Sequence, residues 1–210
     1  MEKIKKILSA VLTGMIILSS TVGTQAAQVA DRQGQLQSCA ETMQITTDEI
    51  INFKENLYHA LDEFNHIPLD EKNNITMVQI SDNLYLEVEP ITPEESVERG
   101  NFTTLSNKAY VKNVLGQTLI TLTAVASFIR SGTTVTPHEA YGLYDSILYS
   151  IDCSETHLSV PGSVGSATVV YKCVFNIGIE GWIIPFFSAN ISGTIYCDYN
   201  GNPNSTWLGL

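Results

Sequence analysis

The sequence predicts a mainly β protein with one N-terminal α-helix: an antiparallel β-sandwich-like domain over residues 74–202, with the helix packed on it. Three observations point there. From residue 74 onward, apolar and polar residues alternate over several runs bounded by turn residues, the pattern of half-buried strands. Only residues 46–67 combine a clear start signal, helical spacing and a stop. Short strands separated by turns build a sandwich or barrel, not a parallel α/β sheet.

The N-terminus has its own pattern. "MEKIKK" is a short positive segment, "ILSAVLTGMIILSS" an apolar run and "TVGTQAAQ" a small-residue exit, so residues 1–26 read as a secretory signal peptide cleaved after Ala26. The apolar run from Ile7 to Leu18 falls short of the ~20 residues a bilayer-spanning helix needs. "LQSC" looks like the end of a lipoprotein signal, but Cys39 lies far beyond Leu18 and behind the charges of Asp31 and Arg32. It therefore reads as an ordinary thiol in a released chain, and residues 27–45 as a flexible N-terminal segment.

The helix opens at Thr46, with Glu49 at capping-box spacing. Ile50, Phe53, Leu57, Leu61 and Phe64 fall on one stripe, and Pro68 stops it. Docking is expected through Ile50, Leu57 and Phe64. Thr92, Pro93, Glu94 and Glu95 give a second helix-start signal, ended within two turns by Gly100. "ITMVQISDNLYLEVEPI" reads as a hairpin turning at Ser81-Asp82-Asn83. "GQTLITLTAVASFIRSG" reads as a long half-buried strand. "SATVVYKCVFNI" alternates Ala167, Val169, Tyr171 and Cys173, and "ANISGTIYCDYNGN" alternates Ile191, Gly193, Ile195 and Cys197. Residues 203–210 are expected to be a C-terminal tail.

Removing residues 1–26 takes away Lys3, Lys5, Lys6 and Glu2 and leaves 8 basic against 21 acidic residues, net −13. Such a surface repels phosphate backbones and anionic lipid heads, which argues against nucleic-acid and membrane-surface partners. Most of the acidity sits in residues 31–98, at net −12, while residues 99–210 are nearly neutral at net −1.

Two further segments carry a family likeness. An alternating strand runs into an F-x-x-x-G-T-T turn, Phe128 to Thr134, and a later strand ends in C-D-x-N-G-N, Cys197 to Asn202. Over about residues 115–202 the chain thereby resembles uncharacterised small secreted β-domain proteins of Gram-positive bacteria. The resemblance implies a fold and an extracellular location, and brings no catalytic residue or substrate. Cys153, Cys173 and the acidic helical N-terminal part depart from it.

Each candidate site has a plain structural reading beside it. His59, Asp62, Glu63 and His66 share a helix face, with His59, Glu63 and His66 as the metal-ligand candidates, but that face is opposite the apolar stripe and equally fits solvent. Asp198, Asn200 and Asn202 alternate like calcium-loop ligands, yet the glycine falls at the fourth place and no bidentate Glu follows, so a strand-end turn explains them. His138-Glu139 and Ser154 to His157 supply residue types for nucleophilic catalysis without a recognisable frame. No cofactor motif is present. Trp182, Phe186 and Phe187 are a candidate partner patch if exposed, or core if strand alternation continues through them.

Of the four cysteines, Cys153 and Cys173 have geometric support for a disulfide, because a hairpin centred on Ser163 would set them opposite each other. A one-residue slip would separate them, and Cys173 with Cys197 is the rival pairing. The function these readings favour is a secreted, non-catalytic extracellular protein acting by binding or surface interaction, its ligand or partner protein undefined. The alternatives are a secreted hydrolase with a loop-borne site and a toxin- or bacteriocin-like effector.

Overall fold

The computed structural model describes residues 33, 34, 36–68, 70–93, 101–146, 149–179 and 182–210; of residues 73, 149, 150, 152–154, 175–179 and 182–187 it describes only the backbone. Among the described residues the chain is mainly antiparallel β. Residues 36–43 form helix α1, followed by α2 (Thr47–Ile51) and α3 (Phe53–His66). Ten strands follow: β1 (Thr76–Gln79), β2 (Leu84–Val88), β3 (Thr92–Pro93), β4 (Phe102–Asn113), β5 (Thr118–Ser131), β6 (Thr134–Ser146), β7 (Tyr149–Leu158), β8 (Val164–Ile179), β9 (Trp182–Asp198) and β10 (Pro203–Gly209).

The strands make two sheets. The first runs β1-β2-β4-β5-β6, with β3 beside β4 where β2 leaves off, and the second runs β10-β9-β8-β7. Their apolar phases meet in one core: Leu86, Ala109, Val111, Leu122 and Ala126 from the first, Ala167, Val169, Tyr171, Ile191 and Trp207 from the second. Two buried hydrogen bonds cross the interface, Tyr171 Oη donating to the Thr123 carbonyl at 2.6 Å and Trp207 Nε1 donating to Asn107 Oδ1 at 2.6 Å. Unmade, such buried polar groups would each cost about 1–3 kcal/mol, so they also fix how the sheets sit. Gly193, opposite Trp207 in the register, is glycine for want of room: a Cβ there would lie 2.7 Å from the indole.

The helical layer completes the smaller sheet. As expected, Ile50, Phe53, Leu57, Leu61 and Phe64 are all buried. α3 lies against β10 and reaches β1 and β2, filling the space over the part of the first sheet that the second does not cover. Its polar residues close the free edge of β10. The Asn65 amide acts as a substitute strand, Nδ2 donating to the Trp207 carbonyl at 2.6 Å and Oδ1 accepting from the Trp207 N–H at 3.1 Å. Tyr58 Oη donates to the Leu210 carbonyl at 2.8 Å and accepts from the Asn190 N–H at 3.1 Å. Edge strands left bare invite pairing with another chain, and α3 removes that risk here.

The capping box is present and does more than cap. Glu49 accepts from the Thr46 N–H at 2.7 Å, and its carboxylate also accepts from Ser81 Oγ at 2.6 Å, the Asn83 N–H at 2.8 Å and Asn83 Nδ2 at 3.0 Å. It thereby ties the helix start to the β1–β2 turn. At the other end Ile67 adopts an extended conformation (φ −67°, ψ 134°), as a residue before proline must.

Several expectations need correction. Within residues 27–45, expected to be flexible, α1 is helical and packs Ala40 and Met43 into the core, tied by Asn113 Nδ2 donating to the Met43 carbonyl at 2.9 Å. The supposed C-terminal tail is β10, because Ser205 and Trp207 alternate inward and Trp207 is fully buried. Thr92 and Pro93 do not start a helix: they pair with Ser106 and Leu105. β5 is buried on both faces over most of its length, Val125 as fully as Ala124, since it lies between two long strands. The single helix has a break at Asn52, which leaves helical geometry between α2 and α3.

Cys173 is unbonded, as are Cys39 and Cys197. The register explains why Cys153 and Cys173 do not meet. Leu158 pairs with Ala167, so the hairpin centre falls just before Ser163, and a bulge between Cys153 and Glu155 shifts the register once more. Cys153 consequently stands opposite Tyr171, and Cys173 opposite Ile151.

Candidate functional site

Alternation that sends Ala167, Val169 and Tyr171 inward sends Thr168, Val170 and Lys172 outward, and the same holds for Asn190, Ser192 and Thr194 on β9. The ladders align these positions into rows across the second sheet. His157, Thr168, Thr194 and Thr206 form one row; Glu155, Val170, Ser192 and Leu208 the next; Lys172 and Asn190 a third, beside Leu210, whose N–H donates to the Asn190 carbonyl. Small residues in the middle and longer ones around them make the face concave. Ser192 and Thr194 are buried at its floor, and the hollow above them measures about 620 Å³. A second hollow of about 350 Å³ continues along the same face past Thr206 to Tyr196, Asp198 and Val164.

The polar groups of this face differ from most buried ones elsewhere. Thr104 is paired with Ser127, Asn107 with Trp207, and Asn113 with the turn that follows it. In the hollow, Thr168 and Thr194 share one hydroxyl–hydroxyl bond at 2.8 Å and Glu155 Oε2 lies 3.0 Å from His157 Nε2. Among the described residues the Lys172 ammonium, the Asn190 amide group and the Ser192 hydroxyl face the hollow without a side-chain partner. Donors and acceptors presented unpaired in a concavity are what a ligand site requires.

The other candidates are placed differently. His59, Asp62, Glu63 and His66 are all exposed on α3, and His66 Nδ1 lies 2.8 Å from the Asp62 carbonyl one turn back. Among the described residues no three His, Cys, Asp or Glu side chains converge as metal ligands would. In the β9–β10 turn the Asp198 carboxylate is engaged by Asn202, through its N–H at 2.8 Å and Nδ2 at 2.9 Å, which holds its pKa below the ordinary value; Gly201 turns the chain at φ +90°. These are the bonds of a tight turn. His138, exposed at the β5–β6 bulge, meets the edge of Phe102 at 5.8 Å between ring centroids, and His157 faces the hollow, so the two do not share a site. The side chain of Ser154 and those of Trp182, Phe186 and Phe187 lie outside the described residues; the backbone of the last three belongs to β9.

A smaller cleft of about 140 Å³ lies between Phe64, Lys72, Ile91 and Pro203. There the Lys72 ammonium donates to the Asn65 carbonyl at 3.2 Å and sits 4.5 Å from the Phe64 ring centroid, and burial lowers its pKa. That lysine works as a cation at the C-terminal end of α3, where the helix dipole favours it. Burial also pushes the Cys173 thiol up to about 12 and raises those of Cys39 and Cys197, the opposite of an activated nucleophile.

Sequence reading found the apolar phase of β8 and β9 and missed the polar phase that makes the hollow. The available signal was Lys172, a lone cation at an outward position of a strand otherwise free of charge near it. No protein family, curated protein or solved structure matches this chain.

Proposed function

We propose that the protein is a secreted, non-catalytic binding protein whose ligand seat is the outer face of the sheet β10-β9-β8-β7. The observation that carries this reading is the concave floor with Lys172, Asn190 and Ser192 unpaired. The signal-like residues 1–26, the strongly acidic remainder and the resemblance to secreted β-domains support an extracellular setting. Mass spectrometry of the protein from culture supernatant should read Ala27 as the first residue and Cys39 as unacylated. A membrane-bound form acylated at Cys39 would overturn the secretion reading.

Binding is tested on panels of soluble glycans, peptides and lipids. Ser192→Trp, which fills the hollow, should weaken capture at least about tenfold, or ~1.4 kcal/mol. Lys172→Glu, at an exposed position, should alter capture while leaving the thermal midpoint within about 1 °C, as surface changes usually do. A wild-type protein that captures nothing, or captures equally in both variants, defeats the assignment. The Glu155–His157 pair is the one observation favouring a secreted hydrolase. Turnover of ester, peptide or glycan substrates that disappears in His157→Gln would establish that reading instead.

A further inference from the structure

We infer that the occupant of this face is an uncharged polysaccharide chain lying along the strands, an inference that rests on the ligand-seat reading above. Shape comes first. Thr194 lines the first hollow and its register partner Thr206 the second, so the two adjoin. From Lys172 to Val164, β8 runs about 26 Å at roughly 3.3 Å per residue. A seat of that length suits an extended ligand better than a compact one.

The chemistry of the seat selects among extended ligands. β8 and β9 are paired on both sides, so their backbone groups belong to the sheet ladders and the face reads its ligand through side chains alone. An extended peptide bound by strand addition needs a free edge, and on the β10 side Asn65 and Tyr58 have taken it. Hydroxyl and amide side chains, by contrast, each donate and accept, as sugar hydroxyls do. Ser192, Thr194, Thr206 and Asn190 supply such groups along the trough, while Val170 and Leu208 offer apolar surface to the C–H faces of sugar rings.

Charge narrows the class further. The chain carries net −11, which opposes the approach of a polyanion. Within the trough the carboxylates of Glu155 and Asp198 outnumber Lys172, the one fixed cation among its lining residues, so a polyanion finds no matching field there either. An uncharged chain meets no penalty from either.

Affinity electrophoresis of the full secreted chain through gels containing a soluble β-glucan, a mannan, a galactan or polygalacturonate tests this, with a lysine-free peptide as competitor. At least one neutral polymer should retard the wild type, with affinity changing less than about twofold between roughly 0.05 and 0.5 M salt, since screening acts on charge pairs. Ser192→Trp should abolish the retardation. Thr194→Val, nearly isosteric and so safe for folding, should weaken it about threefold or more, the loss of one or two hydrogen bonds. Retardation by polygalacturonate alone, lost in Lys172→Gln and at high salt, overturns the uncharged class and leaves the seat standing, as does displacement by the peptide alone. Retardation by a neutral polymer that both trough variants retain places the polymer elsewhere and overturns seat and class together. No retardation by any of the polymers overturns the polysaccharide class, and the wider panel then decides the seat.

Discussion

Leu57→Asp should leave the protein unfolded at neutral pH, whereas His59→Asp, two residues along the same helix, should be nearly silent. Leu57 is 1% exposed and stands where three layers meet: Leu61 on its own helix, Leu86, Ala109 and Leu122 from the first sheet, Ile191 and Trp207 from the second. The interior space these residues share is about 10 Å³, barely enough for one water, so an introduced carboxylate could be neither solvated nor paired. Loss of the leucine alone costs about 2–5 kcal/mol, and burial of the charge adds several more. Set against a total stability of about 5–15 kcal/mol, that removes most or all of it. His59 is exposed, and changing it should shift stability by no more than ~0.5 kcal/mol. Near-UV circular dichroism and urea titration of both variants are the measurements. Equal midpoints would mean that α3 does not dock in solution through its apolar stripe.

That contrast was legible in the sequence, because the helix stripe is a local property: five apolar residues at helical spacing say which side faces inward, whatever the partner. The same holds for the inward phases of β8 and β9 and for the capping box. What failed was everything set by a partner distant in sequence. β10 shows only Trp207 as a large inward residue, and its strand character comes from pairing with β9 and from Asn65 of α3. α1 does show Leu36, Ala40 and Met43 at helical spacing, but so short and polar-rich a segment becomes helical only where a core receives it. The cysteine pairing failed through one bulge and a displaced turn centre, features of a single residue each. The candidate seat was hidden for the same reason. Lys172, Asn190 and Ser192 become neighbours only through the β8–β9 register, and nothing in the order of residues announces a concave floor.

Stability should fall by on the order of 3 kcal/mol between about pH 5 and pH 2 through Glu49 alone. Burial by itself would raise the pKa of this carboxyl, but the bonds it accepts from Ser81, Thr46 and Asn83 outweigh burial and hold it at about 2, against an ordinary 4.5. The folded value is the lower one, so the contribution is complete above the unfolded pKa and is lost as pH falls through the folded one. Each unit of difference is worth about 1.4 kcal/mol. Glu49→Gln should therefore cost about 3 kcal/mol at pH 7, since an amide N–H₂ would face donors where an oxygen now accepts, and most of that cost should be gone by about pH 2, where the native carboxyl is itself half protonated. The loss would act at one place, the junction of Thr46, Ser81 and Asn83, so the helical layer should loosen from the β1–β2 turn before the sheets part. Urea midpoints of the two proteins, measured at steps from pH 7 to pH 2, should converge. Parallel curves across that range would show that Glu49 is not the buried, bonded carboxylate that joins the helix start to the first sheet.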